Sequence, residues 1–296
     1  MTSATTRVQR PGALWAAPAL IFFGIFGLAP IVIVAGLSFT TWDGLGNPEW
    51  AGLHNWRTLP SDKLVGSGLM ITLTLTVLTW ATQTPLALAF GAWAAGPQRI
   101  RAVVSTIFFL PLLLSTAAIA LIWQALLDPT FGLPAQWSEL TGLSANVLGD
   151  PDLALWAIVF VLLWQFLPFH MLLYQAAAKQ IPASLYEAAE IDGASPLQRF
   201  WRITVPQLRH TIIASSVLMI VGSMTYFETV LLLTGGGPGT ATRILPLHMY
   251  LKGFSAFEMG YASAIAVLLV AVGTGLSLLV VRVSGYSQMT SEREGV

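Results

Sequence analysis

The chain has 296 residues, of which 55% are hydrophobic and 9% charged, and its mean hydropathy is +0.71. A soluble domain carries roughly 25% charged residues, so this composition excludes a water-facing globular surface and specifies a polytopic membrane protein. Fourteen basic and fourteen acidic residues cancel, which excludes a nucleic-acid binder built on a basic face, and the lack of cysteine excludes disulfides, thiolate metal sites and cysteine nucleophiles.

A membrane helix needs about 20 mostly apolar residues to cross the roughly 30 Å hydrocarbon core. Charge-free intervals run over 11–42, 64–98, 102–127, 153–178 and 259–281, and a sixth, 210–242, is interrupted only by Glu228. They predict an all-α fold of six transmembrane helices, at 13–38, 66–95, 102–127, 153–177, 208–233 and 259–282, within one unit covering 11–285. Arg7 and Arg10 precede the first apolar run, which is too long for a signal h-region and ends without a small-residue cleavage site, so it reads as an uncleaved helix.

With the N-terminus inside, the inner segments hold Arg7, Arg10, Arg99, Arg101, Lys179, Arg199, Arg202, Arg209, Arg282 and Arg293. The outer loops hold only Arg57, Lys63, Arg243 and Lys252. The positive-inside bias therefore sets both termini in the cytoplasm, with 1–10 and 286–296 as polar tails. The loop from Asp128 to Asp152 has acids and no base, as an outer loop should.

One inner loop is long, from Lys179 to Arg209. Its punctuation predicts two short helices. Pro182 closes the preceding span, Ser184 and Glu187 fit a capping box, and Gly193 suits the left-handed position that ends a helix at Asp192. Ser195, Pro196 and Gln198 start the second helix with another box, and Pro206 marks the start of the fifth span. Ala188 and Ala189 let a partner approach the backbone, while Glu187, Glu190 and Asp192 charge the rim. Those acids argue against a helix lying on anionic lipid, which attracts Lys and Arg instead.

Glu187-Ala188-Ala189, Gly193 four residues on, then Ile203 and Pro206, resembles the EAA loop of ABC-importer permeases, with Val205 where that family usually has Leu. The stretches LTGGGPGTATRILPLHMYLKGF (233–254) and GYASAIAVLL (260–269) resemble the first-permease type of the carbohydrate-uptake branch, related to maltose and glycerol-3-phosphate permeases. The resemblance implies that the loop is a coupling helix, with Glu187, Ala188, Ala189, Asp192 and Gly193 contacting a cytoplasmic ATPase subunit. It implies a heterodimer with a second permease, two ATPase subunits and an extracytoplasmic substrate-binding protein, all at a bacterial or archaeal inner membrane. The loop opened by Gly235, Gly236, Gly237 and Pro238 would face the binding protein. No cofactor or metal is expected on this chain; ATP and Mg belong to the ATPase.

The residues agree that the chain does not power itself. No lysine follows a glycine, so there is no G-x-x-x-x-G-K-[ST] loop, and 235–239 reads as a turn leaving the fifth span. His54, His170, His210 and His248 lack ligand spacing, and only Glu228 ionises within a span, which is poor support for an embedded enzyme. An ion-coupled secondary carrier is the alternative, but such carriers place several ionisable groups at mid-membrane.

A neutral sugar needs aromatic faces and amide, hydroxyl or carboxylate partners. Trp164 and Gln165 in the fourth span, Tyr226 and Glu228 in the fifth, and Gln124 near the outer end of the third supply them. A carboxylate at mid-membrane costs about 2.5–3.5 kcal/mol on insertion scales, so Glu228 should line a wet cavity or hold a partner. No Lys or Arg lies deep in a span to neutralise a phosphate, which favours a neutral sugar over glycerol 3-phosphate.

Overall fold

A computed structural model describes residues 13–96, 99–142 and 145–285; the expected tails 1–10 and 286–296 lie outside these. The fold is almost entirely helical. In chain order it has α1 (Ala17–Leu37), α2 (Lys63–Ala94), α3 (Arg99–Phe109), α4 (Thr116–Leu126) and α5 (Pro151–Ala178). There follow α6 (Ala183–Ile191), α7 (Pro196–Gln207), α8 (Arg209–Ser223), α9 (Phe227–Thr234), α10 (Leu245–Tyr250) and α11 (Met259–Val283). Four of them, α1, α2, α5 and α11, are long and apolar enough to cross a membrane unaided, with hydropathies of 1.7 to 2.6.

The centre is the pair α2 and α5. They meet closely because Gly91 has no side chain: a Cβ there would stand 2.7 Å from the Met171 carbonyl oxygen and 2.9 Å from Tyr174 Cβ. Small residues bring helix backbones together where lipid gives no hydrophobic drive for helices to associate. Threonines on α2 are satisfied by the helix itself. Thr72 Oγ1 donates to Gly68 O at 2.7 Å, Thr76 Oγ1 to Thr72 O at 2.8 Å and Thr79 Oγ1 to Leu75 O at 2.8 Å. These hydroxyls also reach neighbours: Thr76 Oγ1 lies 2.7 Å from Ser223 Oγ, and Thr72 Oγ1 accepts from the Leu245 N–H at 2.9 Å. These threonine and serine hydroxyls thus satisfy one another and the helix carbonyls, while the buried Gln83 amide on the same helix finds no partner among the described residues. By contrast α1 is apolar all round with none of its spanning window buried, so lipid or another chain must cover it.

Two expected spans are not continuous. The 102–127 segment is α3 and α4 meeting at 97°, across a 3-10 turn at Leu110–Leu113. Pro111 begins that turn, Leu114 is extended at φ −84°, ψ 149°, and Ser115 restarts the helix by accepting from the Ala118 N–H at 3.2 Å. At 11 residues α4 is about 16 Å long, half the hydrocarbon core. The 208–233 segment breaks after Ser223 and resumes at Phe227, so α9 is a separate piece packed on α4, α10 and α5. Four helices long and apolar enough to span and two bent pairs, 103–126 and 196–223, therefore stand where six uniform helices were expected, which makes up to six spans if each pair crosses once.

The molecule has two polar ends. At one, β1 (Thr40–Thr41) pairs antiparallel with β2 (Glu49–Trp50), Thr40 opposite Trp50. Asn55 Nδ2 ties this ribbon down by donating to Ser38 O at 3.0 Å and Thr40 O at 2.8 Å. Gly260 is required beneath it, since any Cβ there would collide with the Thr40 carbonyl. The start of α2, the start of α11 and α10 lie at this end, and the close of α2, the start of α3, the close of α5 and α6–α7 lie at the other.

Candidate functional site

The expected loop forms α6 and α7 with one correction. No capping box joins Ser184 and Glu187: the N-cap is Pro182, without a side-chain cap bond. Pro182 at φ −57°, ψ 131° turns the chain one step early, and the Leu185 N–H donates to Pro182 O at 3.2 Å, so Ser184 is already inside the helix. The far end closes as the residues require. Gly193 has φ +73°, the Ala194 N–H donates to Ala189 O at 2.8 Å and the Gly193 N–H to Glu190 O at 3.0 Å. That pair of bonds is a Schellman closure. The second capping box, Ser195 with Gln198, is present in both directions.

Glu187, Ala188, Asp192 and Gly193 stand exposed on α6, and Ala189 is half-buried. Beside them Ile191 is 87% exposed, with Leu197 at 67% and Trp201 at 61%. A small capped helix presenting acids and bare apolar side chains is a surface for a protein partner. A strut holds it: Tyr186 Oη and Thr204 Oγ1 lie 2.8 Å apart, Thr204 being buried in a π-turn (Phe200–Thr204) of α7. Pro206 does not start the next span; α7 runs to Gln207, and the chain turns 69° into α8 at the buried Leu208. Sequence reasoning missed Tyr186 and Thr204, whose meeting depends on how α7 folds back.

The residues assigned to a pathway separate. Tyr226 and Glu228 line one cavity of about 350 Å³ between α4, α5, α8 and α9, together with Thr116, Phe166, Phe169 and His170. Phe166 stacks on Tyr226 at 5.5 Å between centroids. His170 Nδ1 lies 2.8 Å from Ser215 Oγ, a packed, hydrogen-bonded histidine on the cavity wall. Gln165 stands one shell back, its Nε2 donating to Thr116 Oγ1 at 3.1 Å. Trp164 packs edge-on against Trp123 at 5.6 Å and does not line this cavity, nor does the exposed Gln124. Phe166, Phe169 and His170 share a face of α5 by their i, i+3 and i+4 spacing, a signal present in the sequence but unused. Glu228 occupies the first turn of α9, where the helix dipole suits a carboxylate.

At the other end the glycine loop is folded on itself. Gly235 ends α9 at φ +61°, Gly237–Pro238 is cis, and Thr242 Oγ1 donates to Gly237 O at 2.7 Å. Gly236 is buried against Leu247 and Gly237 and Pro238 are half-buried, so the exposed points are Gly235, Gly239 and Thr240. Below lies a polar cluster: Tyr261 Oη donates to Asp62 Oδ2 at 2.9 Å, and His248 Nε2 is 3.3 Å from the same oxygen. Burial pushes the Asp62 carboxyl up, but hydrogen bonds from the Leu64 N–H, Tyr261 and His248 outweigh it and hold the group below the ordinary carboxylate value. Burial pushes the His248 imidazole down against the pull of Asp62.

Apolar helices, two of the expected spans being bent or broken, with a polar cap at one end and an exposed helical knob at the other, define a multi-pass membrane protein. Residues 87–284 match the family described as "Binding-protein-dependent transport system inner membrane component", and the chain belongs to this family of ABC transporter permeases. It is 33% identical to the "Probable ABC transporter permease protein YurN" of Bacillus subtilis over 273 residues, covering 90% of this chain and 93% of that protein. It is 34% identical to the "Multiple sugar-binding transport system permease protein MsmF" of Streptococcus mutans, covering 90% and 92%. Its fold matches a permease chain in the crystal structure of a bacterial ABC transporter involved in the import of the acidic polysaccharide alginate, with a TM-score of 0.79 at 24% identity over 94% of this chain and 96% of that one. At that identity the likeness speaks for the fold alone. The ion-coupled carrier considered from the sequence is set aside by this membership.

Proposed function

We propose that the chain is one of two permease subunits of an ATP-driven, binding-protein-dependent sugar importer, forming half of the translocation pathway and docking an ATPase through α6. The observation that carries the reading is the build of α6: short, closed at Gly193, strutted by Tyr186 to Thr204, and bare on its outer face. A rigid knob transmits a displacement that a flexible loop absorbs. Glu187, Ala188, Ala189, Asp192 and Gly193 form its contact surface to the ATPase. Six spans with both termini in the cytoplasm put this knob and its basic neighbours inside, and the Gly235–Pro238 loop outside toward the binding protein.

The substrate is a neutral carbohydrate. The cavity has three aromatic side chains, Phe166, Phe169 and Tyr226, a carboxylate at Glu228 and no Lys or Arg, so it attracts C–H faces and hydroxyls and repels a phosphate. Its volume falls in the range of small-molecule sites. Glycerol 3-phosphate is the second reading, with Arg243 in the outer loop its one favourable charge. The test is reconstitution in liposomes with the companion permease, the ATPase and the binding protein. Uptake of a labelled neutral sugar should require all of them and ATP. Uptake by this chain alone under an ion gradient, or of glycerol 3-phosphate in preference to sugars, would overturn the assignment.

A further inference from the structure

A second cavity, of about 750 Å³, lies at the end of the molecule opposite the outer cap and is distinct from the pathway. It opens between the close of α2, the start of α3, the close of α5 and α6–α7, with Leu197 of the exposed apolar patch at its edge. Its wall includes Trp93, Arg101, Lys179, Tyr186, Arg199 and Phe200. Three cations line it and no carboxylate does.

The cations are set differently. Arg101 is oriented, its Nη1 donating to Trp93 O at 2.7 Å and its guanidinium 5.4 Å from the centroid of the Trp93 ring. Arg199 makes a 3.3 Å ion pair with Glu190, whose side chain is 72% exposed; such surface pairs hold weakly. The Lys179 ammonium is exposed and has no hydrogen bond or ion pair among the described residues. Ala89, Ala92 and Ile181 add apolar surface to the wall. Convergent guanidinium and ammonium donors over an aromatic and apolar floor match a phosphate group, which accepts several charge-assisted hydrogen bonds at once.

We propose that this cavity is a phosphate-binding site beside the coupling helix. The group comes from an anionic lipid headgroup at the bilayer surface or from a soluble phosphorylated metabolite. The placement of α6 gives the site a consequence: a ligand bridging Lys179 on α5 and Arg199 on α7 braces the knob against the bundle. The inference rests on the cytoplasmic placement of this end, but its binding readout needs neither ATP nor uptake.

The test is native mass spectrometry of the permease, purified with its companions, titrated with phosphatidylglycerol, phosphatidylcholine or inorganic phosphate. Phosphatidylglycerol should be retained at least tenfold better than phosphatidylcholine. Lys179→Gln and Arg101→Gln should each weaken retention about fivefold, equivalent to ~1 kcal/mol per basic residue at a membrane surface, while Lys179→Arg keeps it. Displacement by inorganic phosphate, lost in Lys179→Gln, would identify a soluble ligand and still support the site. Lys179 is exposed, so its variant folds regardless of the outcome. Equal retention of both lipids with no phosphate binding, or full binding in Lys179→Gln, would overturn the proposal. Failure of ATP-driven uptake would overturn the transport reading and leave this titration standing.

Discussion

Glu228 and Trp164 came out of the sequence side by side as sugar contacts, and the structure gives them different work. Glu228 stands on the wall of the α4–α5–α8–α9 cavity, without a partner among the described residues, while Trp164 fills the joint between α4 and α5 against Trp123. Their variants should therefore fail differently. Glu228→Gln should lower transport of the native sugar at unchanged thermal stability, with a raised apparent KM. Trp164→Ala should lower the unfolding midpoint in detergent, by the equivalent of about 3 kcal/mol, before it touches KM. Uptake assays paired with a melting curve separate the two, and the reverse pattern would exchange their roles. Tyr226 was legible from its residue type and span, and its stacking on Phe166 was not, because that contact joins α5 to the break before α9.

The elements owe their ends to a few local residues. Ser195 with Gln198, and Gly193 at φ +73°, were readable because capping chemistry acts over three or four residues. The Ser184 box failed for an equally local reason, Pro182 having started the helix earlier. Gly193→Pro should leave the protein inserted and remove sugar-stimulated ATP hydrolysis in the assembled transporter, because proline fixes φ near −65° where +73° is needed. Tyr186→Phe removes one strut bond, worth about 1 kcal/mol, and should reduce the coupling ratio of sugar moved per ATP without altering assembly. Full coupling in both would detach α6 from energy transfer.

The element α10 responds to pH. Burial pushes the His248 imidazole down, Asp62 pulls it up, Lys252 and Arg243 push it down further, and the group lies below its ordinary value in the fold, with Tyr261 holding the Asp62 carboxylate beside it. The unfolded chain therefore binds more protons, so stability rises with pH up to the ordinary histidine value near 6.5 and falls as pH drops below it. Hydrogen exchange over 245–250 should quicken between pH 7 and pH 5, and His248→Gln should flatten that response. Asp62, held low, adds its own loss only under stronger acid, as pH falls below the ordinary aspartate value near 3.8.

On the scale of the whole molecule, one exposed helical knob, proposed to couple, and one exposed first span predict company. α1 has no buried residue in its spanning window, and the chain carries a single α6 knob, so it should purify with one similar permease and two ATPase subunits. Size-exclusion with mass determination checks this; an active lone chain would refute it. The sequence by itself determined what depends on composition and short spacing: the membrane class, the apolar segments, the long loop with its EAA spacing and the absence of a P-loop motif. Only the tertiary structure decided where those segments break, since charge counting measures hydrophobicity and is blind to backbone continuity at Leu110–Ser115 and Met224–Tyr226. It alone decided which aromatics line a cavity and which fill a joint, and that Arg101, Lys179 and Arg199 line one cavity, because those placements bring together residues dozens of positions apart through the packing of α2 on α5.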